Sequence, residues 1–549
     1  MKKTAFAERK EKISRKTKKF LKTGKVLDKI KKMWYNIIAT KKTGEVIMLK
    51  KIIALILCAA FAVIAVACME NNSGRETKGT AEAPSTGDAR LYPDLPEVNY
   101  GGYDFIFYSW DIEGWRVYED IWVEDSGTNA ISKSVFNRNS RIEEKYGIVI
   151  SYKADYYEDY AKKILANMQV GDHIGDVLLS MGLSAGLLMR QGVYYNLYDV
   201  PYIDFTKPWW DQDCTASLSV GNYMPFGSSA ITLIEKAGAY CMFYNLGLAD
   251  DLNIDENLYK TVTDGDWTLD KMKTLGRIAV KDVNGDSEMK FEDDRFGIAG
   301  NDSAVTAFFS GSGMRIVSKD KEGNLYDSFM EGNNVEKIKN YLENILFDKE
   351  LFLNCSYRYE GDKGINYNYA PDIFMENRAL FLQTALSKGE SLREMENAYA
   401  ILPVPKYDAA QEKYGCAPNT FDNFLTSVPI WASEEDVDRT GVILEALAAE
   451  SYYTVIPAFY EQVLDEKIAR DDESKQMIDI ITNSHVWDAG EFYGLGAFGD
   501  HFRGCTGRSE KISGRRESSD IASFYAAYGG GLTADLASLI EVAEKYADR

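Results

Sequence analysis

Beyond Val98 the chain alternates short apolar runs with stretches whose apolar residues recur every three to four positions. Tyr103-Asp104-Phe105-Ile106-Phe107-Tyr108, bounded by Gly101-Gly102, has the aromatic and β-branched content of a strand. Ile131, Val135, Ile142 and Tyr146 keep helical spacing, with Thr128 as the expected N-cap and Gly147 as the stop. Ile148-Val149-Ile150 predicts the next strand. Tyr160, Ile164, Leu165 and Met168 predict the apolar face of a second helix ending at Gly171, and 176–179 predicts a third strand. Strand–helix–strand–helix–strand implies a parallel sheet with right-handed crossovers. Ligands of such sheets sit beyond the carboxyl ends of the strands, here Ser109-Trp110-Asp111 and Ser180-Met181-Gly182. Trp110, Asp111, Met181 and Gly182 are therefore candidate ligand contacts. Farther on, Thr268 can cap a helix carrying Leu269, Met272, Leu275, Ile278 and Ala279, and 532–547 reads as a closing helix.

The apolar run 52–66 is of a different kind. It follows Lys50-Lys51 and ends in small residues before Cys68. At ~15 residues it is short of the ~20 a spanning helix needs, so 48–68 reads as a secretory signal peptide. Its end, Ala65-Val66-Ala67-Cys68, resembles the lipobox of bacterial lipoproteins, with alanine where leucine is usual. That resemblance implies a diacylglycerol anchor on Cys68. Residues 1–47 hold 16 Lys/Arg against 4 Asp/Glu and precede Met48. They are expected to be a mis-assigned upstream leader, with a basic arm on anionic lipid as the alternative. Residues 69–97 read as a flexible tether. The folded part is thus expected at the extracellular face of a cytoplasmic membrane, Gram-positive-type, held by the lipid anchor only.

Composition narrows the function classes. With 549 residues, 45 % of them apolar, the chain has material for two or three compact units at ~100–200 residues each. A net charge of −21 disfavours nucleic acid as a partner, because phosphates need basic neutralisation. The 3 histidines are scattered, which argues against a His-built zinc centre. Cys214, Cys241, Cys355, Cys416 and Cys505 form no CxxC pair, so neither a disulfide framework nor a metal knuckle is expected. No GxSxG, GxxxxGK[ST] or HExxH occurs. A glycosidase carboxylate pair remains the rival enzyme reading, since carboxylate separation is not written in sequence.

Several stretches together resemble one family. Tyr240-Cys241-Met242-Phe243-Tyr244-Asn245, Trp267-Thr268-Leu269-Asp270-Lys271-Met272, Phe374-Met375-Glu376-Asn377-Arg378-Ala379-Leu380-Phe381 and Leu402-Pro403-Val404-Pro405 stand in one order, and Pro457-Ala458-Phe459-Tyr460 follows. In order and spacing they are similar to the extracellular solute-binding proteins of ABC importers, carbohydrate type, over roughly 98–500. The resemblance implies an α/β periplasmic-binding-protein fold with two α/β lobes, a hinge and a central ligand cleft. It places lobe 1 at 98–237 plus 420–500 and lobe 2 at 238–419 plus 501–549. It implies a monomer that passes a saccharide to permease transmembrane subunits, with no catalytic residue and no required cofactor. A ligand-presenting sensor lipoprotein is the other alternative.

A sugar offers an apolar C–H face and a rim of hydroxyls, so aromatic residues beside polar ones are the natural candidates. Trp110-Asp111, Trp209 and Trp210 before Asp211, and Trp487 before Asp488 fit that description. In the second lobe Gln383 stands where the resemblance leads one to expect an aromatic. One metal motif is present. Asp282, Asn284, Asp286, Glu288 and Asp293 approximate the oxygen spacing of a calcium loop, with Ser287 in place of the usual glycine and Asp294 adjacent. A structural calcium ion is the expectation there.

Overall fold

In the computed structural model, residues 90–111, 119–127, 129–356, 369–420, 423–465, 472–506 and 517–547 are described. The predicted signal peptide, Cys68, Thr128 and most of the tether lie outside them. The strands are β1 (Tyr103–Asp111), β2 (Ile148–Tyr156), β3 (Val177–Ser180), β4 (Tyr240–Asn245), β5 (Phe296–Gly300), β6 (Val317–Lys319), β7 (Leu325–Asp327), β8 (Phe352–Asn354), β9 (Ala379–Ala385), β10 (Tyr399–Pro403) and β11 (Leu425–Ser427). The helices that matter here are α1 (Ala130–Tyr146), α2 (Tyr157–Val170), α3 (Gly182–Arg190), α4 (Leu269–Ala279), α5 (Ala304–Gly311), α6 (Glu434–Asp465), α7 (Asp472–Thr482) and α8 (Ile521–Tyr546).

The first sheet has the order β11-β3-β1-β2. β1 is parallel to β2, in register from Tyr103 opposite Ile148 to Asp111 opposite Tyr156, and parallel to β3. β11 closes the edge antiparallel to β3. The predicted β-α-β-α-β run is present, and α1 and α2 both stop at a left-handed glycine, Gly147 (φ 62°) and Gly171 (φ 71°). Asn129 is the N-cap of α1, its side chain accepting from the Ser132 amide at 2.8 Å.

The second sheet has the order β10-β4-β9-β5-β8. Its β5 is parallel to β8 and β9, and β4 runs antiparallel to both neighbours. α4 is capped by Thr268 as predicted and buries Leu269, Met272, Leu275 and Ala279. Ile278 departs from the prediction: it lies off that stripe and is 48 % exposed.

Three short segments cross between the sheets side by side. Tyr240 N donates to Ala417 O (3.1 Å) and Asn419 N to Gly238 O (3.1 Å). Cys416 N donates to Ser484 O (2.8 Å) and Val486 N to Cys416 O (3.0 Å). The result is a ribbon of 238–240, 416–419 and 484–486. The third crossing lies at 484–486, not near 500, and it moves the expected lobe boundaries. α6 packs on α1, but α7 packs on β10, so 472–482 goes with the second sheet. α8 lies against α3 and against β7, so it touches both halves instead of belonging to lobe 2.

Candidate functional site

The carboxyl ends of the first sheet rest on the chain just past the second crossing. Gly182 N donates to Asn423 Oδ1 (3.2 Å). A Cβ on Gly182 would meet Thr420 O at 3.1 Å and the Phe492 ring at 3.3 Å, so a side chain there would have to displace backbone. Met181 is buried beside it, and the buried Trp110 turns its ring edge to Phe424, centroids 5.5 Å apart. On the second sheet, β5 ends at Gly300 and leads through Asn301-Asp302-Ser303 into α5. Ser303 Oγ donates to Gln383 Oε1 (3.4 Å), and Ser356 Oγ donates to Asp302 Oδ1 (3.0 Å). Two buried donors on these strands, Trp110 Nε1 and Gln383 Nε2, have no hydrogen-bond partner among the described residues.

Beside the crossing segments, a small cavity of about 10 Å³ has a charged floor lined by Tyr240, Thr306, Thr420, Asp488, Glu491 and Arg503. Arg503 Nη1 pairs with Glu491 Oε2 (2.9 Å) and Nη2 with Asp500 Oδ1 (2.8 Å). Burial works against the Arg503 charge, but the two carboxylates outweigh it and push its pKa above the ordinary range. Asp488 accepts the amides of Ile316 (2.6 Å), Val317 (3.2 Å) and Gly490 (2.8 Å). Burial, the largest influence, still lifts its pKa to about 6. These floor carboxylates are committed to an arginine or to backbone amides.

A larger cleft, about 880 Å³, opens at the β10 edge of the ribbon and is lined by Asp213, Arg315, Tyr414, Asp479, Asn483 and His485, among others. Its walls come from the end of α5, the loop 411–415 and α7. None of the strand carboxyl ends borders it.

The predicted site residues therefore separate into groups. Gly182 lies against Thr420 and Asn423 and Trp110 against Phe424, with Met181 buried, and Asp111 stands exposed at the end of β1. Gln383 faces Ser303 on the second sheet. Trp209 and Trp210 are a correction to the sequence reading. Both are buried, and their indole N–H groups converge on Glu445 of α6, at 2.9 Å to Oε1 and 2.7 Å to Oε2. Desolvation raises the Glu445 pKa, and the tandem pattern exists because two indoles share one carboxylate. Trp487 is a second correction. It is buried under the floor, its ring 4.7 Å from Phe492 and its Nε1 donating to Asp211 Oδ2 at 3.1 Å.

The acidic loop is held by its own internal partners. Asp282 accepts the amides of Gly285 (2.7 Å) and Ser287 (2.8 Å), and Asn284 accepts that of Asp286 (2.9 Å). Lys290 supplies the positive charge, pairing with Asp286 and with Glu288 (3.0 Å). Asp293 meets only the Asn284 amide, at 3.5 Å. Among the described residues no three carboxylate, His or Cys groups converge as a metal site.

Sequence reasoning missed Glu445 and the Glu491–Arg503 pair. Glu445 joins tryptophans 236 and 235 residues away and leaves no local signal, whereas Glu491 and Arg503 stand 12 residues apart.

The architecture just described is the two-lobed α/β fold of periplasmic binding proteins. UgpB from Mycobacterium tuberculosis in complex with glycerophosphocholine has a TM-score of 0.50 to the chain at 14 % identity, over 80 % of this chain and 99 % of that one. UspC from M. tuberculosis has a TM-score of 0.50 at 11 % identity, over 78 % of this chain and 100 % of that one. A family 1 extracellular solute-binding protein from Bifidobacterium longum subsp. infantis gives 0.49 at 11 % identity, over 78 % and 99 %. No protein-family model and no curated protein sequence matches the chain.

Proposed function

We propose that the protein is the solute-binding component of an ABC importer. It captures a small extracellular solute, a mono- or oligosaccharide, between the two sheets and presents the closed form to the permease transmembrane subunits. The observation that carries this reading is the ribbon of three crossing segments, which joins the two sheets side by side as a hinge would. A solute touching both sets of strand ends binds the closed arrangement more tightly than the open one. It therefore shifts the hinge equilibrium by that difference in affinity. No chemical step is required. The complex of UgpB with glycerophosphocholine makes a polyol phosphodiester the second solute class to try. In this reading the protein acts as a monomer, tethered through a diacylglycerol on Cys68 at the outer face of the membrane.

The test is the melting temperature of the purified protein against a panel of saccharides and glycerophosphocholine. A solute at ~100 times its dissociation constant adds ~2.7 kcal/mol of stability. A shift with one saccharide, recovered chemically unchanged, is the expected result. Turnover of that saccharide would replace the binding role with an enzymatic one, and silence across the panel would remove carbohydrate as cargo. For the anchor, Cys68→Ala should release the protein from membranes.

A further inference from the structure

We infer that the cleft of about 880 Å³ at the β10 edge of the ribbon is a second ligand site, fitted to a small zwitterion such as an amino acid or a short peptide. The inference goes beyond the proposed solute-binding role, because no strand carboxyl end borders this cleft.

The walls are held by packing and hydrogen bonds outside the cleft. α7 buries Met477, Ile478 and Ile481, which leaves Gln476, Asp479, Ile480 and Asn483, at helical spacing, to line the cleft. The loop 411–415 forms another wall and is pinned at both ends. Gln411 donates to Gly311 O (2.7 Å) and accepts the Tyr407 amide (2.9 Å), and Tyr414 Oη donates to Val262 O (2.9 Å). Ser484, His485 and Val486 of the ribbon and Asp213 of the 212–218 helix add to the lining. The volume falls within the ~300–1,000 Å³ range of small-molecule sites.

Charge of both signs lines this space and is not neutralised inside the protein. Among the described residues, neither the Asp213 nor the Asp479 carboxylate makes an ion pair, and no carboxylate pairs with Arg315. Arg315 spends Nη1 on Trp487 O (3.0 Å), which fixes its guanidinium beside the ribbon. Glu412 and Lys413 add one charge of each sign on the loop. Burial lifts the pKa of the half-buried Asp479 although Lys475 opposes it, and a bound cation would relieve that cost. His485 borders the same cleft, and its two buried ring nitrogens have no hydrogen-bond partner among the described residues, with Asp211 Oδ2 3.6 Å from Nδ1. A simple anion would be opposed by the aspartates and a simple cation by Arg315 and Lys413. A molecule with an ammonium at one end and a carboxylate at the other satisfies both, and the Gln476 and Asn483 amides suit a peptide group between them.

Calorimetric titration of the purified full chain with the common amino acids and with di- and trialanine tests this. At least one should bind, and its N-acetyl and C-amide forms, each short of one charge, should bind about tenfold more weakly or worse. Asp479→Asn should weaken the parent ligand about tenfold without lowering the melting temperature, and should leave saccharide binding as in wild type. Wild-type affinity in that variant, or an N-acetyl form that binds as well as its parent, would overturn the zwitterion site. Displacement of the zwitterion by a bound saccharide would overturn it too, because one site would then serve both ligands. Silence across the amino acids and peptides strikes this inference alone when a saccharide binds, and leaves the proposed role standing. A zwitterion that binds where no saccharide does keeps the site and removes the carbohydrate reading.

Discussion

Trp487 donates its indole N–H to Asp211 Oδ2 at 3.1 Å, which fastens the third crossing segment to the first lobe. The same carboxylate caps the 212–218 helix, accepting from the Cys214 amide at 2.8 Å, and lies 3.6 Å from His485 Nδ1. One aspartate thus ties a helix start to the hinge ribbon.

The acid stability of the protein should depend on this contact. Burial pushes the Asp211 pKa up, but His485 and the Cys214 amide outweigh it and hold the net value below the usual carboxylate range. A depressed carboxylate stabilises the fold above its unfolded pKa, and that stability drains away as pH falls through the folded one. Asp211→Ala should cost ~1–3 kcal/mol at neutral pH and flatten the acid limb of a urea-midpoint profile. An unchanged acid limb would show that the carboxylate does not carry the effect.

Glu445 holds two buried indoles at once. Removing it in Glu445→Ala leaves both N–H groups unpartnered, at ~1–3 kcal/mol each. Glu445→Gln keeps an acceptor and should lose about half as much by chemical denaturation. Under the proposed binding role, solute affinity should stay at the wild-type level in the glutamine variant, because the buried tryptophans anchor α6.

Asp488 gives the opposite pH signature. Burial lifts its folded pKa to about 6, above the ordinary carboxylate value, so the folded state binds the proton more tightly. Stability should fall as pH rises from about 4 to about 6, by on the order of 3 kcal/mol, then level off. Asp488→Asn should abolish that slope, readable as urea midpoints taken across the interval.

Gly186 of α3 lies against the backbone of Tyr493. A Cβ at this position would sit 1.8 Å from Tyr493 O. Gly186→Ala must therefore push 489–493 off α3, and a loss of several kcal/mol or failure to accumulate folded protein is expected. A folded Gly186→Ala protein with a wild-type melting temperature would contradict the close approach.

Millimolar calcium should leave the melting temperature unchanged, since Lys290 already neutralises Asp286 and Glu288. A calcium-dependent rise would mean that the loop carboxylates re-aim in solution.

The first sheet was legible because its period switches from two to helical spacing and back, and because Gly147 and Gly171 mark the helix ends. The third crossing was not legible, since pairing of Cys416 with the chain at His485 fixes it and no local pattern announces that partner. The tandem tryptophans misled for a related reason: aromatic residues next to an aspartate suit a sugar, but their N–H groups point to a glutamate more than two hundred residues away. The acidic loop has the oxygen spacing of a metal site, and the lysine within it supplies the positive charge.

The antiparallel pairing of β11 with β3 has a consequence for how the molecule comes into being. Leu425 completes a ladder that began at Ser180, and every strand of the second sheet is synthesised in between. During translation the first sheet waits with β3 as an unpaired, fully buried-type edge until the second sheet has emerged and returned the chain. Such long-separation closure is slow, and an open apolar edge invites wrong partners. This nested topology leaves the half-finished first lobe exposed to aggregation until Leu425 arrives.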